Sequence, residues 1–119
     1  MLPKKYRLPL RTELNRLKKT GQIYQGDFFG FLMASQKPSL ENSRFASIVS
    51  NKIDKKAHNR NCLRRWLSAA IWLLASEIKP GFDGVFLAKK TAAQADYKQI
   101  ENEVKKIFEK TKLISNSTE

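Results

Sequence analysis

Lys52-Ile53-Asp54-Lys55-Lys56-Ala57-His58-Asn59-Arg60-Asn61-Cys62-Leu63-Arg64-Arg65-Trp66 sets six cations against one carboxylate and then runs straight into an apolar helical segment. Leu63, Leu67, Ala70, Ile71, Leu74 and Ile78 recur at helical spacing, which predicts a central helix from near residue 55 to just before Lys79-Pro80-Gly81. Arg60, Arg64 and Ser68 fall on a face beside that stripe, with Asn61 and Arg65 next to them. Asp54 and Asn59 are both candidates for its N-cap. Cations at a helix start oppose the helix dipole, at about 0.3–1 kcal/mol each when exposed. Folding alone does not place them there, whereas a bound polyanion offsets that cost.

Upstream, residues 28–35 (Phe-Phe-Gly-Phe-Leu-Met-Ala-Ser) read as a strand apolar on both faces, ended before Pro38. Phe28, Phe29 and Phe31 read as core rather than as a base-stacking platform. Gln36–Ser43, with Pro38 and Asn42, reads as a hairpin-like connection to a second strand, Phe45–Ser50. Residues 11–19 form a short helix with Leu14 and Leu17 inward, closed by Gly21. Pro3 and Pro9 argue against regular helix in the basic arm of residues 1–10.

Downstream, Phe82–Ala88 is a strand with Lys89 and Lys90 at its end. Gln94–Lys110 is an amphipathic helix with Tyr97, Ile100, Val104, Ile107 and Phe108 inward, and residues 112–119 are expected to fray. Trp66 and Trp72 flank the core stripe of the central helix, and Trp66 is expected to be partly buried against the sheet. The order predicts an α+β layer of helices on a small sheet.

A chain of 119 residues is one domain, and 41% apolar residues with seven Phe suffice for a globular core. The formal charge of +12 implies an anionic partner, nucleic acid ahead of an acidic membrane surface. No run reaches the ~20 apolar residues of a membrane span, and the N-terminus lacks the apolar core of a signal peptide. Cys62 stands alone, which excludes an intrachain disulfide and suits a reducing cytoplasm. His58 is the only histidine, which excludes a zinc site or a histidine pair by count. Asp27, Glu41, Asp54 and Asp83 are scattered, so no catalytic cluster supports a stand-alone protein nuclease. A small ribosomal or RNA-chaperone protein, binding structured RNA with no role in cleavage, is the rival reading.

The residues also carry a resemblance. Ser43-Arg44-Phe45-Ala46-Ser47-Ile48-Val49-Ser50-Asn51-Lys52, followed by Lys56-Ala57-His58-Asn59-Arg60-Asn61-Cys62-Leu63-Arg64-Arg65, resembles the bacterial ribonuclease P protein subunit. In that family an Arg-Val-Gly-type strand leads through Ser-Lys-Lys to Lys-Ala-x-x-Arg-Asn-Arg-x-x-Arg. Arg11–Gly21 is similar to the family's first helix, Gly81–Lys90 to its last strand, and Tyr97 to the start of its final helix, so the resemblance covers about residues 4–112.

The resemblance implies an α+β two-layer sandwich of about four strands and three helices. The implied order is α-β-β-β-α-β-α, with a left-handed βαβ crossover as in a ribosomal-protein domain of the same fold. It implies a non-catalytic protein subunit of a ribonucleoprotein endoribonuclease in the cytoplasm. There the RNA subunit and its Mg²⁺ remove the 5′ leader of precursor tRNA, with no DNA or membrane partner and no metal held by the protein.

By the same resemblance Arg60, Asn61, Arg64 and Arg65 contact the RNA subunit. Arg44, Lys52, Lys55, Lys56, Lys89 and Lys90 are basic RNA-binding positions nearby, and Leu14, Lys18 and Leu32 line a leader cleft. The chain departs from the family at several points. Cys62 and Ser68 stand where cations are usual, Asp54-Lys55-Lys56 is one residue longer than the shortest family spacing, and Leu14 and Lys18 replace Phe. Gly30 and Leu32 fall on cleft-facing strand positions. With fewer aromatics there, the leader is expected to be held more by charge than by stacking.

Overall fold

The computed structural model describes residues 2–36 and 38–114. In chain order the elements are α1 (Leu10–Thr20), β1 (Gln22–Gln25), β2 (Phe29–Ser35), β3 (Arg44–Ile48), α2 (Ala57–Leu73), β4 (Phe82–Ala88) and α3 (Tyr97–Lys110). The sheet order is β1-β2-β4-β3: β4 runs antiparallel to β2 and parallel to β3, so the last strand in sequence lies between two earlier ones.

This corrects the hairpin expected over Gln36–Ser43. β2 and β3 are not neighbours, and the chain instead crosses the end of β4. Buried Gln36 ties that crossing down. Its Nε2 donates to Asn42 O at 3.0 Å, Phe82 O at 3.1 Å and Asp83 Oδ1 at 2.9 Å, while its Oε1 accepts from Leu40 N–H at 2.7 Å. Parallel β3 and β4 then need a long return, which α2 supplies.

Alternation along the strands sends Phe29, Phe31, Phe45 and Phe86 to one face, where they meet Phe108 of α3 and Leu63, Leu67 and Ala70 of α2. The rings of Phe31 and Phe86 are 4.6 Å apart, and those of Phe45 and Phe108 are 5.3 Å apart. Gly84 faces the same core, and a Cβ there would collide with the edge of the Phe31 ring. Truncating one of these rings to Ala should cost about 3–5 kcal/mol. The opposite face is covered by α1, with Leu8 of the N-terminal arm beside it. Leu17, Ala34 and Val85 are buried beneath it, while Leu14, Leu32, Ile48 and Leu87 are half-buried around them.

Residues 2–8 and 111–114 are tied to the core more closely than composition suggests. Leu2 and Leu8 are buried, Lys4–Tyr6 form a 3-10 turn, and Leu8 N–H donates to Phe45 O at 2.9 Å. At the other end α3 starts on an Asp96–Gln99 capping box. It closes through Lys112 at φ 64°, with Leu113 N–H reaching back to Phe108 O at 2.9 Å. Leu113 and Ile114 are buried, so the fraying expected from residue 112 does not begin there; 115–119 lie outside the described residues.

Candidate RNA-binding interface

The loop Val49–Lys56 and the first turns of α2 bring together Lys52, Lys55, Lys56, Arg60, Arg64 and Arg65. Lys56 stands at the N-cap position, and no side chain caps the helix. Asp54 and Asn59 act together instead of either serving as cap. Asp54 Oδ1 accepts from Lys56 N–H at 3.0 Å and Oδ2 accepts from Asn59 Nδ2 at 3.0 Å. Those two hydrogen bonds, with the charges of Lys56 and Arg60, hold the Asp54 carboxyl below its usual range. It is therefore fully ionised and already occupied, and the helix start stays electropositive.

Arg60 folds back on this loop, with Nη1 donating to Asp54 O and Lys55 O, both at 2.9 Å. Arg64 donates through Nη1 to Asn61 Oδ1 at 2.7 Å and through Nη2 to Val49 O at 3.1 Å. Both guanidinium groups are thus positioned chiefly by neutral acceptors, which do not cancel their charge, although Arg60 also feels the nearby Asp54 carboxylate. Asn61 and Arg65 are exposed, as are Lys52, Lys55 and Lys56. His58, Asn61, Arg64, Arg65 and Ser68 line one open hollow on the helix. Arg64 and Ser68 also border an adjoining groove floored by Phe45, Ser47 and Leu67 and edged by Arg7. Arg7 is a basic residue the motif reading did not single out. Only the contact of its arm with β3 brings it there.

Cys62 is half-buried in a hollow with Asp54, Asn59, Trp66, Ala93 and Ala95. Ala93 belongs to the 3-10 turn Lys90–Gln94, at whose start Lys90 is exposed. Trp66 is partly buried against the core, as expected, and packs edge to face on Tyr97 of α3 at 6.3 Å. Lys89 is engaged within the fold, its Nζ donating to Gly26 O at 2.6 Å.

Arg44 lies apart from this set. It grips Asp83, whose side chain is fully buried, through Nε to Oδ1 at 3.0 Å and Nη2 to Oδ2 at 2.9 Å. Arg16 donates to Asp83 Oδ2, and its Nε pairs with Glu13 at 3.0 Å. Two arginines meet two carboxylates here, so the cluster is locally neutral. Leu14 and Leu32 stand in one half-buried apolar cluster between α1 and the sheet, and Lys18 is exposed one turn beyond Leu14.

A second buried acid also escaped the sequence reading. Glu103 of α3 accepts from the backbone N–H groups of Asp27, Phe28 and Phe29 at 2.6–3.0 Å. Its only signal was a charge on the inward side of an otherwise apolar stripe.

The family model for ribonuclease P matches residues 2–112. The ribonuclease P protein component of Microcystis aeruginosa is 30% identical over 95% of this chain and 96% of its own length. The RNase P protein of Thermotoga maritima superposes with a TM-score of 0.79 at 25% identity, covering 87% of this chain and 96% of that one. The Staphylococcus aureus RNase P protein superposes with a TM-score of 0.83 at 22% identity, over 92% and 98% respectively.

Proposed function

The chain belongs to the ribonuclease P protein family, and from that premise we propose that it is the protein subunit of an RNA-based endoribonuclease, binding the catalytic RNA through the basic face of α2. The observation that carries this reading is the uncapped helix start, where Arg60 and Arg64 are fixed by backbone carbonyls beside exposed Arg65, Lys55 and Lys56. Planar guanidinium groups held in place suit phosphate, since each presents a fork of donors at little further entropic cost. Backbone carbonyls leave that charge intact for an anionic partner.

The protein's part is binding and positioning, and the RNA subunit supplies the chemistry. The one carboxylate on the basic face, Asp54, already accepts from Lys56 N–H and Asn59 Nδ2. It does not fit a protein-held Mg²⁺, so we assign the ion to RNA and substrate phosphate. Precursor tRNA is the substrate, and its 5′ leader lies along the half-buried Leu14–Leu32 face of the sheet. Work on RNA by a chain with a single free cysteine suits the cytoplasm.

Reconstitution tests the reading. Adding the protein to its RNA subunit and a precursor tRNA at low Mg²⁺ should raise cleavage at the mature 5′ end. No stimulation, or cleavage by the protein without RNA, overturns it.

A further inference from the structure

The solvent side of α2 carries His58, Asn61, Arg65 and Ser68, and then Trp72. Successive spacings of three and four residues keep them on one narrow stripe, opposite buried Leu63, Leu67 and Ala70. The first four are polar, as water requires. The fifth is an indole left 53% exposed.

Core packing gives no reason for a tryptophan on the pole of the helix that points away from the core. Nor is the ring loose: Tyr6 packs edge to face on it at 5.7 Å, and Lys5 Nζ lies 5.3 Å from the Tyr6 ring centre. Exposed Lys4 and Lys5 stand beside the pair in the same 3-10 turn. An aromatic plane among cations, in line with arginines on the same helix, has the chemistry of a single-stranded nucleic-acid platform. Such surfaces combine base stacking with backbone attraction.

We infer that Trp72, steadied by Tyr6, stacks on an unpaired base of the RNA subunit and extends the contact to the far end of α2. The inference rests on α2 as the RNA-binding face. RNA is favoured over a second copy of this chain because the rim is cationic, and like charges oppose self-association.

The test uses the full chain and the RNA subunit, with assembly affinity measured over a salt series for Trp72→Ala, Trp72→Phe and Arg65→Ala. Trp72→Ala should weaken assembly on the order of tenfold while leaving the salt slope unchanged, because stacking releases no counterions. Trp72→Phe should keep most of the affinity, and unchanged melting of both variants shows that the fold is intact. If Arg65→Ala weakens assembly and Trp72→Ala does not, the inference fails and the RNA-binding reading stands. If neither weakens it, the reading of α2 fails and takes the inference with it. If Trp72→Ala abolishes self-association in sedimentation with RNA affinity unchanged, the ring belongs to a contact between copies, and the inference is overturned.

Discussion

Arg44 clasps Asp83 by two parallel hydrogen bonds at 2.9 and 3.0 Å, on a carboxylate with no exposed surface. The pairing makes Arg44 a structural residue at the start of β3, where charge and motif alone would assign it to RNA. Burial pushes the Asp83 carboxyl up, but the hydrogen bonds from Arg44 and Gln36 and the charges of Arg44 and Arg16 outweigh it and hold the group below its usual range. The Arg44 guanidinium is in turn held more firmly protonated, chiefly by its hydrogen bond to Asp83.

A carboxylate whose folded pKa lies below its unfolded value of about 3.9 stabilises the protein above that pH. The contribution is lost as pH falls through the folded value. Asp83→Asn should therefore cost about 2–3 kcal/mol at neutral pH, below the ~3–5 kcal/mol of a fully buried broken pair, because Arg16 and Arg44 remain partly exposed. It should also flatten the acid limb of a stability–pH curve measured by urea unfolding. A variant with the same acid limb as the parent would show that another group sets it.

Arg65 and Arg60 should separate phosphate binding from loop support. Arg65 is exposed, whereas Arg60 also satisfies the carbonyls of Asp54 and Lys55. Arg65→Ala should weaken assembly with the RNA subunit and reduce the salt slope by about one unit, with melting unchanged. Arg60→Ala should do the same and in addition lose about 1 kcal/mol of stability. Equal melting of the two variants would mean that the Arg60 contacts to the loop contribute nothing.

The face between α1 and the sheet presents Leu14 and Leu32 where stacking rings would be needed, with exposed Lys18 beside them. Leader affinity should therefore fall steeply with salt and only about twofold on Leu14→Ala, well short of the ~1–3 kcal/mol that a stacked base loses. Binding of precursor tRNAs of graded leader length to the assembled enzyme measures both. Weak salt dependence with a large loss on Leu14→Ala would reverse the assignment.

Lys112 closes α3 at φ 64°, a conformation that costs a side-chain-bearing residue about 1–2 kcal/mol. Lys112→Gly should raise stability by a net ~0.5–1 kcal/mol once the looser unfolded chain is counted. Thermal unfolding reads the change, and a fall in melting temperature would mean that the Lys112 side chain makes a compensating contact.

Most of the elements could be read from the sequence because their periodicity is strong. Leu63, Leu67, Ala70 and Ile71 mark the buried side of α2, and Phe29 and Phe31 mark a strand with core on one face and α1 on the other. The strand Gln22–Gln25 could not be read, being four residues long and polar but for Ile23 and Tyr24. Strand order was equally hidden. Nothing local in Gln36–Ser43 says that Phe82–Ala88 will slip between the strands on either side of it, because that placement is decided by pairing across some forty residues. At the interface, residue types identified Arg60 and Arg64 but not what holds them. The partners are main-chain carbonyls at Val49, Asp54 and Lys55, which every residue possesses and no pattern announces.

The position of β4 in the middle of the sheet bears on how the chain is made. A ribosome delivers β2 and β3 early, yet neither can join the other until residues 82–88 have emerged. The turn at Asp27–Phe29 must then wait longer still, for Glu103 to reach its three amides. β1 and β2 can pair beforehand, but β3 stays unjoined until β4 is made, so the sheet beneath the RNA-binding helix closes only after that helix has itself been synthesised.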